Sequence, residues 1–232
     1  MASIQLYDLT GAEDERRFSP FCWRSKLALA HKGLAFDTVI WRFTDKEALS
    51  FSGQSRVPVM VHDGETVFDS WTIACFLEDR YGDRAPLFGS AQARATTRFI
   101  NQWTDKVLHG ALAPLVLSDI YAHIHAQDRE YFRSSREKAF GKPLAEVSAD
   151  RDSRVQSFRQ SLEPLRATLQ VQSYLAGDAP AYADYIVFGA FLWARSVSPF
   201  KLLADDDAVA NWRERMLDAG SDIARQAPGY AF

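Results

Sequence analysis

The sequence predicts an α/β segment followed by an all-α segment. In the first 81 residues, short apolar runs and helical patterns follow the order β-α-β, an irregular stretch, then β-β-α. Beyond a stretch with two glycines and a proline at 82–92, the apolar patterns have the period of a helix and no strand pattern follows. We therefore expect two domains, residues 1–81 and 93–232, joined by a linker at 82–92.

The first half of the α/β segment is predicted by local signals. Residues 4–9, IQLYDL, alternate in polarity and predict a strand, and residues 36–41 predict a second strand. Between them, Ser19 is a favoured N-cap residue and Pro20 suits the first helical position. A helix is expected to begin there and to end at Gly33.

The second half is predicted to be a hairpin and a helix. The Asp63-Gly64 pair between two alternating runs is typical of a tight hairpin turn. Pro58 removes one hydrogen-bond donor from the first of these strands, so it must lie at the strand's start or edge. We expect Ser70 to cap a helix that runs to about Tyr81.

The all-α segment contains one long amphipathic pattern and several shorter ones. Phe99, Trp103, Val107 and Leu108 mark a long helix. Further helices are expected near residues 128–140, 152–172, 184–196 and 208–217.

The composition and charge of the chain indicate which binding partners and which cellular compartment to expect. The chain of 232 residues carries a net charge of −3, and its densest basic stretch, Arg129–Lys138, is interrupted by acidic residues. We interpret that stretch as a solvated helix face, and we expect no nucleic-acid partner. No apolar run approaches the roughly 18 residues of a membrane span, and the N-terminus has no signal pattern. With only two cysteines, a reducing cytoplasm is the expected location.

Several kinds of active site find no support in the motifs. His123 and His125 are two residues apart on a predicted helix, so they face different directions. The chain has no His-Glu-x-x-His motif, no phosphate-binding loop and no glycine-rich dinucleotide turn. No metal is expected.

Four segments carry a resemblance to a known family. They are SPFCWRSKLAL from Ser19, RVPVMV from Arg56, FDS from Phe68 and LAGDAPAYADY from Leu175. In this order and at these separations they resemble the cytosolic glutathione transferases. The resemblance implies a thioredoxin-like domain, an all-helical domain that contributes the electrophile pocket, glutathione as co-substrate, and a homodimer. SPFCWRSK and DREYFRSSRE look most like the bacterial lignin β-aryl-etherases and their fungal relatives.

One position departs from the family pattern. The family usually places Ser or Thr three residues before the Asp of the ADY-like motif, and the two side chains form a capping pair. Here that position is Ala181 and the Asp is Asp184. Loss of such a cap typically costs about 0.5–2 kcal/mol, so the departure concerns stability rather than the active site.

Ser19 stands where a thiol redox enzyme would carry its attacking sulfur. A hydroxyl cannot form a mixed disulfide, but it can donate a hydrogen bond to the thiolate of another molecule. Lowering a thiol pKa by two units requires about 2.7 kcal/mol. A hydrogen bond to a charged acceptor supplies about 1.5–3 kcal/mol, and a helix N-terminus about 0.3–1 kcal/mol. The residues alone leave N-cap and catalytic roles open, and the resemblance favours the catalytic role.

The resemblance also implies how glutathione binds. Pro58 resembles the family's cis-proline, which lets the preceding Val57 present its backbone N–H and C=O to the cysteinyl backbone. Ser70 and the free amides of its helix suit the γ-glutamyl carboxylate, and Asp69 suits the neighbouring ammonium.

The glycyl carboxylate and the electrophile have less definite partners. For the glycyl carboxylate, Arg56 and Lys46 both stay open. Most helical aromatic residues, Phe132 among them, are expected in the core. The aromatic residues assigned to the electrophile pocket are Phe21, Trp103, Tyr121 and Trp193.

The sequence therefore favours a glutathione S-transferase in which Ser19 stabilises the glutathione thiolate for attack on a bulky hydrophobic electrophile, with cleavage of an aryl ether as one such reaction. Two alternatives stay open. Cys22 would be the working thiol of a glutathione-dependent thiol-disulfide reductase, or the protein would be a non-catalytic binder of aromatic ligands. As a structural residue, Cys22 would simply be buried.

Overall fold

Four strands form a mixed sheet in the computed structural model, which describes residues 4–219 and 221–231. The strands are β1 (Ile4–Leu9), β2 (Asp37–Trp41), β3 (Val59–His62) and β4 (Glu65–Phe68). Their order across the sheet is β2-β1-β3-β4, with β1 parallel to β2 and antiparallel to β3, and β3 antiparallel to β4. The predicted thioredoxin-like arrangement is confirmed. The hairpin turn also forms as expected, with positive φ angles at Asp63 and Gly64.

Helix α1 (Pro20–His31) begins at the predicted residue and ends within one or two residues of the predicted end, with Lys32 as its C-cap. Ser19 is its N-cap, and the Ser19 hydroxyl oxygen accepts a hydrogen bond from the backbone N–H of Cys22 at 3.2 Å. Gly33 follows the helix with a φ of +62°, which a residue with a side chain rarely adopts. The helix is buried on nearly every side because it packs against β1, α2 (Ser70–Arg80) and α9 (Tyr182–Val197).

The cap of α2 corrects one expectation. Asp69, not Ser70, is the N-cap, and its carboxylate oxygen Oδ1 accepts hydrogen bonds from the N–H groups of Trp71 and Thr72, each at 3.0 Å. Ser70 is the first residue of the helix and is buried. Its C=O accepts a hydrogen bond from the hydroxyl of Tyr182 at 2.6 Å. This contact places Ser70 against the helical domain.

The second domain is helical throughout its described part. Its helices are α3 (Ala91–Trp103), α4 (His109–His123), α5 (Arg129–Phe140), α6 (Leu144–Val147), α7 (Arg151–Ser161), α8 (Glu163–Leu169), α9, α10 (Ala208–Met216) and α11 (Ile223–Gln226). Short 3₁₀ turns lie at Glu47–Ser52 and Ala126–Asp128.

Two predicted helices are divided in the structure. The long amphipathic pattern consists of α3 and α4 with a π-helical turn, Thr104–Leu108, between them. The pattern at 152–172 is split at Leu162, because Pro164 lacks an N–H and belongs to the first turn of α8. No helix in the described ranges is both long and apolar enough to cross a membrane.

Helix α9 holds the two domains together at the start of α1. A Cβ atom at Gly189 would lie 2.6 Å from the carbonyl oxygen of Pro20, so only glycine permits this approach. The close contact fixes the N-terminus of α1, and with it Ser19, against the centre of the helical domain.

The missing side-chain cap at Ala181 is confirmed, but the acidic half of the motif is retained. Ala181 is the N-cap of α9 and has no side-chain oxygen, whereas the buried carboxylate of Asp184 accepts a hydrogen bond from the Ala181 N–H at 3.2 Å. The same carboxylate also accepts hydrogen bonds from the N–H groups of Leu175 and Ala176 and from the indole of Trp212. Asp184 therefore joins α9, the preceding loop and α10.

Candidate active site

A cleft of about 520 Å³ lies between the two domains. The α/β domain contributes the start of α1 and residues that follow β1, β2 and the 3₁₀ turn, and the helical domain contributes α4, α5 and α9. Apolar side chains, many of them aromatic, form most of its surface, which is typical of a site for an apolar ligand.

Ser19 lines this cleft at the N-terminus of α1. Its side-chain oxygen uses one lone pair to accept the Cys22 N–H, and its hydroxyl also lies within hydrogen-bonding reach of the Cys22 thiol, where it favours the thiolate. Only 4% of the residue is exposed, so a donor here acts in a partly desolvated environment where hydrogen bonds to charges are stronger. Because the buried Cys22 thiol stays protonated and is only a weak acceptor, a thiolate bound in the cleft would be the stronger acceptor for the Ser19 hydroxyl proton.

Cys22 lies behind Ser19 and outside the cleft lining. It is fully buried, and its thiol is 3.8 Å from the carbonyl oxygen of Tyr7. Burial, and next the negative charge of Asp8, raise the pKa of this thiol well above its ordinary value. A thiol in this environment stays protonated at neutral pH and is a poor nucleophile.

Val57 and Pro58 lie beside Asp69 and Ser70. The Val57–Pro58 peptide bond is cis, and Val57 lines the cleft. Because β3 pairs with β4, the N–H of Asp69 reaches the carbonyl oxygen of Pro58 at 3.3 Å. No described residue supplies a backbone partner for the N–H or C=O of Val57. The residues assigned to glutathione thus form one strip that leads to the cleft.

Both cations considered for the glycyl carboxylate, Arg56 and Lys46, line the cleft. The ammonium of Lys46 donates a hydrogen bond to the carbonyl oxygen of Ser55 at 2.8 Å and lies 4.8 Å from the ring centre of Trp41. Burial, followed by the positive charge of Arg56, lowers the pKa of Lys46.

Two of the four aromatic residues assigned to the electrophile pocket line the cleft. Phe21 and Trp193 do so, and His109 lies between them, with ring centres 5.3 Å from Phe21 and 5.8 Å from Trp193. Burial, and next the charge of Arg24, lower the pKa of His109 to about 3, so its imidazole is neutral at physiological pH.

The other two aromatic residues are not among the lining residues. Trp103 precedes the π-helical turn, which rotates the side chains before it relative to those on α4. Tyr121 follows the α4 residues that do line the cleft and instead packs behind Phe132, with ring centres 6.4 Å apart.

Helix α5 is exposed over much of Arg129–Lys138, as expected of a solvated face, but one side of it lines the cleft. Phe132, expected in the core, and Arg136 both line the cleft, and Phe132 is 1% exposed. They are four residues apart and so lie on the same side of the helix. The four-residue spacing of Phe132 and Arg136 within REYFRSSREK is a sequence signal that places both side chains on one side of the helix. No comparable signal in the sequence marks His109 or Tyr131 as residues of the cleft. Among the described residues, no group of His, Cys, Asp and Glu side chains is arranged to hold a metal ion.

Family comparisons agree with this arrangement. Residues 18–80 match the family model of the glutathione S-transferase N-terminal domain. Residues 95–218, more than half of the chain, match that of the glutathione S-transferase C-terminal domain.

Individual relatives are distant in sequence. Glutathione S-transferase U28 of Arabidopsis thaliana is 24% identical over 213 residues, which cover 89% of this chain and 84% of that protein. Glutathione transferase GSTFuA3 from Phanerochaete chrysosporium superposes with a TM-score of 0.81 at 23% identity, covering 92% of this chain and 95% of the other. A glutathione S-transferase of Ceriporiopsis subvermispora in complex with glutathione gives a TM-score of 0.77 at 24% identity, with 96% and 94% covered. The chain belongs to the glutathione S-transferase family.

Proposed function

We propose that this protein conjugates glutathione to a bulky aromatic electrophile. The thiol proton leaves to solvent, the thiolate sulfur attacks an electrophilic carbon, a C–S bond forms, and the leaving group departs with the electron pair of the broken bond. The observation that carries the proposal is the hydroxyl of Ser19, which lies at a helix N-terminus in the interdomain cleft and for which the neighbouring Cys22 thiol is only a weak acceptor.

Glutathione would bind along the strip of residues beside Ser19. The free N–H and C=O of Val57 suit an extended peptide that adds to the sheet edge. Because Oδ1 of Asp69 already caps α2, its second carboxylate oxygen is the group left for the γ-glutamyl ammonium. The N–H and hydroxyl of Ser70 would receive the γ-glutamyl carboxylate, and Arg56 or Lys46 the glycyl carboxylate.

The aromatic wall supports an aromatic acceptor. Phe21 and Trp193 present ring surface to the cleft, and the neutral imidazole of His109 between them adds no charge. Cleavage of a β-aryl ether is the specific reaction we propose within this class. The leaving phenolate has a conjugate acid of pKa about 10 and needs only modest help from a donor.

A turnover assay tests this proposal. Purified protein, glutathione and 1-chloro-2,4-dinitrobenzene should give steady thioether formation above the uncatalysed rate. A β-aryl ether model compound should release its phenol and retain glutathione as a thioether. Conjugation of the chloroarene without phenol release would restrict the protein to other electrophiles, and failure of both reactions would contradict the transferase.

The reductase alternative makes an opposite prediction for Cys22. Because the thiol is buried and its pKa is raised, we expect the Cys22→Ala variant to keep its conjugation rate within about twofold of wild type. Native protein treated with iodoacetamide at pH 7.5 should show no alkylation of Cys22 by mass spectrometry, whereas unfolded protein should be alkylated there. Rapid native labelling, together with lost activity in the variant, would instead make Cys22 the working thiol.

Family membership supports a homodimer and a cytoplasmic location. A non-catalytic binder of aromatic ligands would use the same cleft, but it would not need a hydroxyl donor at Ser19.

A further inference from the structure

One end of the cleft carries more positive charge than glutathione requires. Lys46, Arg56 and Arg136 line it, and no Asp or Glu is among its lining residues. Asp128 lies close enough for its charge to favour the protonated form of Lys46. The Asp128 carboxylate already accepts hydrogen bonds from the backbone N–H groups of Phe43 and Thr44, at 2.9 and 3.0 Å.

Arg136 differs from the other two cations because it comes from the helical domain. Its guanidinium carbon lies 4.8 Å from the ring centre of Phe132 and 5.4 Å from that of Phe43, so the group packs between rings of both domains. Its one described hydrogen bond goes to the hydroxyl of Ser135 at 3.0 Å. No carboxylate pairs with it among the described residues.

The positive charge of Arg136 is not balanced by a carboxylate of any described residue. Burial is the main cause that lowers the pKa of Arg136; Tyr131 acts in the opposite direction, and the positive charge of Arg56 lowers the pKa further. Stacking on two rings compensates part of the cost of burial, but a half-buried guanidinium without a charge partner is unfavourable. A bound glycyl carboxylate and the nearby Asp128 would offset at most two of the three cations, so at least one positive charge would remain.

We propose that the acceptor substrate of this cleft is an aromatic carboxylate, and that Arg136 is the residue that selects it. The inference rests on the proposed transferase function and names its substrate class. The planar guanidinium can donate two parallel hydrogen bonds to a carboxylate. Phe43 and Phe132, whose ring centres are 5.7 Å apart, line the cleft beside that position and make it apolar, which suits the aromatic part of the same molecule. Ser19 lines the same cleft, where the sulfur of glutathione is expected.

A matched pair of acceptors tests the role of Arg136. 4-Chloro-3-nitrobenzoate and 4-chloro-3-nitrobenzamide present the same reactive carbon and differ in one negative charge. With each rate divided by its uncatalysed rate, wild type should prefer the acid. Arg136→Gln should lower kcat/KM for the acid about ten- to a hundredfold, as loss of a hydrogen-bonded ion pair predicts, and for the amide less than threefold. The KM for glutathione should stay within twofold.

Arg133→Gln is the matched control, since Arg133 lies one turn earlier on α5, is exposed and pairs with Glu130. It should leave the acid-to-amide ratio unchanged. Arg136→Lys keeps the charge without the planar fork and should restore part of the preference. Thermal unfolding of each variant shows whether α5 remains folded.

A binding measurement separates this inference from the transferase proposal. Calorimetric titration of glutathione-loaded protein with the unreactive pair 3-nitrobenzoate and 3-nitrobenzamide requires no turnover. Tighter binding of the acid, lost in Arg136→Gln, would support the inference even if no acceptor were conjugated. Equal binding of the two compounds would overturn it, and so would an Arg136→Gln variant whose only change is a raised KM for glutathione. That last result would assign Arg136 to the glycyl carboxylate.

Discussion

Ser19→Ala is expected to lower kcat/KM for glutathione conjugation about ten- to a hundredfold. The variant removes the one hydroxyl positioned at the start of α1 in the cleft, and a hydrogen bond to a thiolate contributes about 1.5–3 kcal/mol. The helix N-terminus remains, so part of the thiolate stabilisation should survive. Ultraviolet titration of the glutathione complex should show the thiol pKa rising by about one to two units in the variant.

The control separates catalysis from helix capping. Ser19 also accepts the Cys22 N–H, so its loss should cost about 0.5–2 kcal/mol of stability. Ser90 has the same capping role at α3, where its hydroxyl accepts the N–H of Ala93 at 3.1 Å and lies outside the cleft. Ser90→Ala should therefore lose comparable stability and keep its activity. An unchanged thiol pKa in Ser19→Ala would reduce Ser19 to a helix cap.

Much of the fold follows from local sequence signals. Ser19 with Pro20 sets the start of α1, and Asp63-Gly64 sets the hairpin, because each pair favours one backbone conformation without help from distant residues. The sequence signals place the start of α2 one residue too late, because here local signals alone do not decide between two candidate caps. Asp69 and Ser70 are both good N-caps, and packing decides between them, since the hydroxyl of Tyr182 holds the carbonyl of Ser70 in the domain interface.

The site residues of the α/β domain are easier to predict from the sequence than those of the helical domain. The family resemblance suggests roles for residues of the α/β domain, and a cap, a proline and a strand pair fix the positions of these residues locally. Side chains of the helical domain depend on the rotation of each helix, which the π-helical turn at Thr104–Leu108 changes between Trp103 and His109. Arg136 faces the cleft only because α5 packs with Phe132 inward, and a charged stretch does not reveal that by composition.

Asp184→Ala is expected to have the largest effect on stability, with a loss of about 3–5 kcal/mol. The buried carboxylate accepts four hydrogen bonds, from the N–H groups of Leu175 at 2.7 Å, Ala176 at 3.2 Å and Ala181 at 3.2 Å, and from the indole of Trp212 at 2.9 Å. Alanine would leave these donors without their acceptor in the interior, where each unsatisfied group is costly. Urea unfolding followed by circular dichroism measures the loss.

The consequence should extend to the active site, because Asp184 fixes the start of the helix that holds α1. Gly189, on the same helix, contacts Pro20 directly after Ser19, so loosening α9 should also weaken glutathione binding. Asp178 lies in the preceding loop, is exposed, and has no described hydrogen bond, so Asp178→Ala should change stability by less than about 0.5 kcal/mol. If Asp184→Ala unfolded at the same urea concentration as Asp178→Ala, the four hydrogen bonds would not be what anchors α9, and the packing of its apolar residues alone would have to position Ser19.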